Sequence, residues 1–144
     1  MTSEQKQIFQ KTSLLLEHYL DLKAYCDNAT LSEHITDEED GINADGTEIT
    51  IKSISKNREV TWIIISHIDK ALELLKNKYQ AKGAEERYRA LELLHLDQSM
   101  QIIPWSERIS LISDELHCGE TTVRRWRNEI VEELSIFLFG VDAL

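Results

Sequence analysis

Residues 109–128, with the sequence ISLISDELHCGETTVRRWRN, constrain the fold more than any other part of this chain. Apolar residues recur at helical spacing in both halves of the segment. The interval from Leu116 to Val123 and Trp126, however, does not fit one continuous helix with a single buried face. A turn must therefore separate two helices, and two helices set at a steep angle around a short turn form a helix-turn-helix.

The residues of the first helix and of the turn suit their predicted positions. Ile112 and Leu116 are expected to point inward, and Ser113 between them is small enough for the second helix to cross close to its backbone. Residues 117–119, His-Cys-Gly, supply the turn, because glycine tolerates any backbone region and histidine adopts a positive φ at modest cost. Cys118 is then predicted to be a small buried hydrophobe.

The second helix is predicted to open with an acid and two hydroxyl residues, Glu120, Thr121 and Thr122. An acid suits the positive end of the helix dipole, and a hydroxyl can cap free amides. The predicted inward residues are Val123, Trp126 and Ile130. The residues left facing outward are Thr121, Thr122, Arg124, Arg125 and Asn128.

These outward side chains have the chemistry that recognises base edges in a DNA major groove. Arginine can contact guanine through two hydrogen bonds, asparagine can do so with adenine, and threonine can contact a base or a phosphate. Arg127 is expected to reach a phosphate. In the alternative interpretation, Arg124, Arg125 and Arg127 pair with nearby acids on a solvated helix face. Those acids are Glu120, Glu129, Glu132 and Glu133.

The net charge of −10 is unusual for a protein that binds nucleic acid. Residues 1–57 hold 5 basic and 11 acidic side chains, residues 58–103 hold 7 of each, and residues 104–144 hold 4 and 8. A local positive patch can persist on an acidic protein, because screening limits interactions between exposed charges to about 8–10 Å. We therefore expect non-specific affinity for DNA to be weak and strongly dependent on salt.

The sequence favours neither an enzyme nor a membrane protein. Its polar start and the lack of a long apolar run predict a cytoplasmic protein without a membrane partner. Cys26 and Cys118 are predicted to be free thiols, and the adjacent His117 and Cys118 lack the spacing of a zinc site. No cluster of nucleophile, histidine and acid, no paired carboxylates and no glycine-rich phosphate loop can be assembled. We expect no catalytic residues, metal or cofactor.

The rest of the chain is predicted to be mainly α-helical, giving a helical bundle with an N-terminal helix, a polar linker and the C-terminal helix-turn-helix. Amphipathic patterns predict helices at residues 4–25, 58–79 and 84–96. Residues 98–103 form a connector, Pro104 starts the next helix, Trp105 fills the core beneath it, and Gly140 ends the last helix.

The segment between the first two predicted helices differs in character from the rest. Residues 28–57 are interpreted as an acidic loop or linker, in which residues 47–54 alternate as in a short strand. The acidic run at residues 37–40 lacks the spacing of a calcium-binding loop and is interpreted as solvated. The predicted domains are residues 1–57 and residues 58–144.

The order of these segments resembles a known family. It consists of a helix with LLLEHYLDLKAY, a polar middle, a helix with REVTWIIISHIDKALELL, and a final ISDELHCGETTVRRWRNEIVEEL similar to region 4 of sigma factors. The chain resembles transcriptional regulators of the ArpU and RinA type from phages and prophages. The resemblance implies a regulator of late phage genes in which Thr121, Thr122, Arg124, Arg125 and Asn128 contact DNA.

Three function classes remain open. The first is a sequence-specific transcriptional regulator that binds double-stranded DNA. The second is a DNA-recognition subunit for phage packaging, similar to small terminase subunits, which a ring-shaped oligomer would favour. The third is an interaction module that binds RNA polymerase or another regulator, which the acidic charge supports. A homodimer formed through the N-terminal helix or through residues 58–79 would suit a two-fold symmetric DNA site.

Overall fold

The computed structural model describes residues 1–27 and 47–144 of the chain. These residues form helices and no strands, which confirms the predicted mainly α fold class. The α-helices are α1 (Ser3–Glu17), α2 (19–27), α3 (Thr47–Ala81), α4 (Glu85–Leu91), α5 (Trp105–Leu116) and α6 (Glu120–Phe139). Shorter helical turns are a π-helical turn at Glu92–Leu96 and 3-10 turns at Gln98–Met100 and Gly140–Ala143.

The N-terminal helix is predicted as one segment but is interrupted at His18. Its start is well defined, because Thr2 and Gln5 form a reciprocal capping box. At His18 the backbone leaves the helical region, with φ −105° and ψ 7°, and helical geometry resumes at residue 19. No glycine or proline in the sequence marks this break.

Helix α3 begins eleven residues before the predicted start at Arg58, at Thr47. The predicted short strand at residues 47–54 is therefore wrong. The alternating pattern is locally compatible with a strand, but no glycine or proline separates it from the strongly helical residues that follow, so the helix continues through it. The predicted acidic run at residues 37–40 lies outside the described residues.

The chain divides into two compact units, one made of residues 1–20 and 68–144 and the other of residues 21–67. In the larger unit α6 packs against α1, α4 and α5. A buried hydrogen bond of 2.9 Å from Ser135 Oγ to Thr12 Oγ1 joins α6 to α1. Contacts of this kind place α1 in the same unit as the predicted helix-turn-helix.

The core beneath the helix-turn-helix is formed by side chains from α4, the π-helical turn, α5 and α6. Its buried members are Ala90, Leu93, Leu94, Ile109, Ile112 and Val123, and partly buried Met100, Leu116, Cys118 and Trp126 pack against them. Because four elements contribute to one cluster, the orientation of α6 is fixed by packing along its inward side.

Candidate nucleic-acid interface

The predicted turn between α5 and α6 lies at the predicted residues. His117 adopts the left-handed conformation, with φ 54° and ψ 47°, and is the one non-glycine residue with a positive φ among the described residues. The amide of His117 donates to the Asp114 carbonyl at 3.4 Å, and the amide of Cys118 donates to the Ser113 carbonyl at 3.1 Å. This pair of bonds is the Schellman pattern, which ends a helix at a left-handed residue.

Ser113 stabilises the turn in a second way. Its side chain is almost completely buried, and Ser113 Oγ donates a hydrogen bond to the carbonyl oxygen of Cys118. A small residue was predicted here for close helix crossing, and the structure adds a hydrogen bond that alanine or glycine could not make. The turn is therefore held by three hydrogen bonds, two from backbone amides and one from a side chain.

The inward residues of the motif are largely as predicted. Ile112, Val123 and Ile130 are completely buried, while Leu116 and Trp126 are partly buried. Cys118 is also only partly buried, although it packs against the core cluster. The phase of α6 about its axis is thus the predicted one, and the opposite side of the helix faces outward.

Four of the predicted outward residues are exposed: Thr121, Arg124, Arg125 and Asn128. Thr122 is half-buried. Within the part of the chain that the structure describes, Arg124 forms no ion pair, and Arg125 is 3.9 Å from Glu129. The Arg125 side chain remains 61% exposed, so this pair is weak and leaves the guanidinium accessible. Pairing with acids thus accounts for one of the two exposed arginines, and only loosely.

The first turn of α6 has no side-chain cap. Gly119 is the N-cap residue, and no hydroxyl accepts a hydrogen bond from the first amides, although the sequence indicated that a threonine could do so. The amide of Val123 donates to the Gly119 carbonyl at 3.1 Å. The amide groups before Val123 are therefore not occupied by a cap, and such groups favour anions.

Arg127 lies in the interior, away from the exposed arginines. It is 8% exposed, and its Nε donates to His95 Nε2 at 3.1 Å. Its Nη1 donates to Asn128 Oδ1 at 3.2 Å, and its Nη2 is 3.8 Å from Glu17 Oε1. The predicted contact of Arg127 with a phosphate does not agree with this placement, because the guanidinium already contacts three side chains and is shielded from solvent.

Trp105 and His95 complete the surroundings of the Arg127 guanidinium. The guanidinium carbon lies 5.7 Å from the centre of the Trp105 ring, and the Trp105 and His95 rings are 5.5 Å apart. Trp105 was expected to fill the core, yet it remains 38% exposed. It covers the buried guanidinium at the surface, and the approach of a cation to an aromatic face is favourable.

Burial, together with the smaller effect of the positive charges of Arg127 and Arg108, lowers the pKa of His95 to about 3. The imidazole is therefore neutral at physiological pH. Since Nε2 accepts the hydrogen bond from Arg127, the proton of the neutral ring belongs on Nδ1. Burial also lowers the pKa of Arg127, and this effect is opposed by the charge of Glu17.

Arg108 fixes the connector that leads into α5. Its Nε donates to the Ile103 carbonyl at 2.8 Å, and its Nη1 donates to the Leu94 carbonyl at 2.9 Å. Its guanidinium also lies over the Trp105 ring, at 5.5 Å. Sequence reasoning missed both Arg108 and His95, because their partners are distant along the chain or are backbone carbonyls.

Two further properties limit the chemistry of the described residues. In residues 1–27 and 47–144 no three His, Cys, Asp or Glu side chains are grouped so that they could hold a metal ion. None of the helices in these same ranges combines the length and the apolar character needed to cross a membrane.

No protein-family model, curated protein or solved structure matches the chain.

Proposed function

We propose that this protein binds double-stranded DNA in a sequence-specific manner and that α6 is its recognition helix. The observation that carries the proposal is a polar row on α6, formed by Thr121, Arg124, Arg125 and Asn128. These residues are spaced i, i+3, i+4 and i+7, so they lie on one helix face, and all four are exposed. The opposite face is fixed by Val123 and Ile130, which are completely buried.

The dimensions of this polar row suit a short DNA site. Seven residues of α-helix span about 10 Å, and base pairs are stacked about 3.4 Å apart, so the row matches about three base pairs. In a helix-turn-helix the N-terminal part of the second helix contacts base edges. We assign guanine contacts to Arg124 and Arg125, an adenine contact to Asn128, and a phosphate contact to Thr121 and the uncapped amides beside it.

The resemblance to phage and prophage regulators of the ArpU and RinA type extends this proposal to a biological role. A chain of that type would control late phage genes and would act beside RNA polymerase on DNA. The acidic residues on α6 that follow the polar row, Glu129, Glu132 and Glu133, suit such a setting. Acids are unfavourable next to phosphates. Glu129 already pairs with Arg87 at 3.3 Å and Glu133 with Lys78 at 2.7 Å, so the exposed Glu132 is the acid of this group that most favours a basic protein surface.

A homodimer would let two copies of α6 bind two half-sites. The N-terminal part of α3 offers a surface for this contact, because Val60, Trp62 and Ile63 are large apolar residues that are about half exposed. Tryptophan is enriched at the centres of protein interfaces, and Trp62 is the residue of that type in this group. Light scattering at tens of micromolar tests this contact. A monomer would contradict it, and a dimer that Trp62→Glu separates into monomers would support it.

The proposed function is tested by binding of the purified protein to fragments of its source genome at two salt concentrations. Wild type is expected to bind one fragment tightly and more weakly at higher salt. The double variant Arg124→Ala/Arg125→Ala should bind this fragment at least about 30-fold more weakly, because each paired arginine–guanine contact contributes about 1–3 kcal/mol.

The matched control is Lys6→Ala/Lys11→Ala, which removes the same charge from exposed positions on α1. It should change affinity only slightly. Equal losses in both double variants would indicate that net charge, and not α6, governs binding. If wild type binds no fragment at low salt, the interaction-module alternative replaces the proposal, and polymerase subunits become the partners to test.

A further inference from the structure

The guanidinium of Arg127 joins the interior of the larger unit to the exposed face of α6. Three of its contacts lie inside or at the edge of the core: His95 Nε2, Glu17 Oε1 and the Trp105 ring. The fourth is the side-chain oxygen of Asn128, which is itself exposed. A buried guanidinium therefore contacts a side chain on the surface that is proposed to bind DNA.

We propose that Arg127 is a positioning residue that fixes the carboxamide of Asn128 in the orientation needed to recognise adenine. This inference rests on the proposed function, and it assigns to Arg127 a role in base specificity that does not require it to touch DNA. Arg127 acts through Asn128, at a distance of 3.2 Å between Nη1 and Oδ1.

The orientation of the Asn128 carboxamide affects recognition because its two ends differ: Oδ1 accepts hydrogen bonds and Nδ2 donates them. Recognition of adenine requires Oδ1 to accept from the N6 amino group while Nδ2 donates to N7. An exposed carboxamide rotates easily, and the reversed orientation presents the wrong group to each partner. Oδ1 has two lone pairs. The Arg127 bond occupies one of them and identifies the oxygen, which leaves the other lone pair and both Nδ2 hydrogens for the base.

Arg127 is suited to this role because it cannot easily move. The Nε bond to neutral His95, the Trp105 ring and Glu17 hold the guanidinium plane, so the position of Nη1 is set by the core. A lysine side chain ends in one ammonium group on a flexible stem. It cannot contact His95, Glu17 and Asn128 at the same time, as the planar guanidinium does. Arg127→Lys therefore retains the charge but removes the positioning.

The first experiment needs no DNA. Nuclear magnetic resonance relaxation of the Asn128 Nδ2 group in the free protein should show a side chain more rigid than that of Asn77, an exposed asparagine on α3. In Arg127→Lys the Asn128 amide should become as mobile as that of Asn77. Equal mobility of the two side chains in wild type would overturn the inference, and it would leave the proposed DNA binding unaffected.

The second experiment measures base preference by selecting sites from randomised DNA, with wild type, Arg127→Lys, Asn128→Ala and the double variant. Wild type is expected to prefer adenine at one position by about 5-fold or more, and Asn128→Ala should lose that preference. Arg127→Lys should lose the same preference and retain those assigned to Arg124 and Arg125. In the Asn128→Ala background, Arg127→Lys should cause no further loss at that position.

The double-variant design separates positioning from a purely structural role. A substitution that only disturbs the fold would lower preference at every position and would do so whether or not Asn128 is present. Such a result would overturn the inference. Thermal unfolding of each variant accompanies the selection, so that altered preference is compared among folded proteins.

A further variant leaves Arg127 intact and keeps the inference testable if Arg127→Lys does not fold. Asn128→Asp preserves the oxygen that accepts from Nη1 and replaces the donating group with a second acceptor. If Arg127 fixes this side chain, the preference at that position should move from adenine to cytosine, whose N4 amino group donates. Loss of all preference at that position in Asn128→Asp would contradict the proposed positioning.

Discussion

Arg124 and Arg127 are three residues apart on α6 and have opposite environments. Arg124 is exposed and forms no ion pair with the described residues, whereas Arg127 is 8% exposed and contacts His95, Asn128, Glu17 and Trp105. The same residue type thus lies at the surface at one position and in the interior at the other. The difference arises because the wide inward face of α6 extends from Val123 through Arg127 to Ile130.

This contrast shows that a cluster of arginines in a sequence is not necessarily one positive patch. Arginine has a long stem and a guanidinium that can be buried when its donors are satisfied. The charge available to a DNA backbone from the RRWR sequence is therefore that of Arg124 and Arg125. If the two faces differ in this way, substitutions on the inward face should lower stability, and those on the outward face should alter binding.

The largest expected effect on stability is that of Ile130→Ala on the inward face. Ile130 is completely buried, and its truncation should lower the free energy of unfolding by about 3 kcal/mol through lost burial and an internal cavity. Ile136→Ala on the same helix is the control, because Ile136 is 42% exposed and should cost much less. Urea denaturation of both variants measures the difference, and similar losses would contradict the assignment of faces.

The second prediction concerns the pH dependence of stability, which should follow from the burial of His95, the residue that accepts a hydrogen bond from Arg127 Nε. The pKa of His95 is about 3 in the folded protein, and in the unfolded chain it returns to the ordinary value near 6.5. Between these values the unfolded chain binds a proton that the folded protein does not, so stability should fall as the pH falls from about 6.5. From pH 7 to pH 5 we expect this group to contribute a loss of about 2 kcal/mol.

The control for this pH dependence is His95→Gln. Its amide oxygen can accept from Arg127 Nε, but it does not titrate. Denaturant unfolding at pH 7, 6 and 5 should give a shallower pH dependence for the variant than for wild type. Parallel curves for the two proteins would show that carboxyl groups, and not His95, cause the loss of stability in acid.

Substitutions of His117, in the turn between the two helices, should change the free energy of unfolding by smaller amounts, and in opposite directions for different residues. His117 has φ 54°, where a side chain is disfavoured and glycine is not. His117→Gly should raise the free energy of unfolding by about 0.5 kcal/mol, whereas the β-branched variant His117→Val should lower it by about 1 kcal/mol. Thermal denaturation resolves the order of the three proteins. A stabilised His117→Val would be incompatible with the left-handed turn.

The smallest effect on stability is expected for Arg125→Ala on the outward face. Its ion pair with Glu129 is 3.9 Å long and largely exposed, so the free energy of unfolding should change by less than about 0.5 kcal/mol. The same variant should bind the selected DNA fragment more weakly. A loss of stability comparable with that of Ile130→Ala would indicate that the outward face is structural.

Sequence periodicity predicted the helix-turn-helix because its signals are local. The interval between Leu116 and Val123, the glycine at residue 119 and the spacing of buried positions are all contained in twenty residues. The left-handed conformation of His117 was also anticipated, since histidine is among the residues that tolerate it. The exposed positions on α6 then follow from the phase of the helix.

The features that sequence reasoning missed depend on contacts between distant residues. The hydrogen bond from Arg127 to His95 spans 32 positions of the chain, and the contact with Glu17 spans more than a hundred. No periodicity specifies such a pair. The strand prediction for residues 47–54 is wrong for a different reason: the alternating pattern covers only eight residues, and no glycine or proline separates it from the helical residues that follow.

The π-helical turn at Glu92–Leu96 has a consequence for how this protein tolerates changes in length. Its amide-to-carbonyl bond from Asp97 to Glu92 spans five residues, at 2.9 Å, so the turn holds one residue more than an α-helical turn. Deleting Leu93 or Leu94 from this turn would remove the extra residue and bring His95 one position nearer to α4, so His95 would leave its place beside Arg127 Nε. A single-codon deletion at this place would therefore be more damaging than most substitutions, because it displaces His95 in addition to removing one side chain.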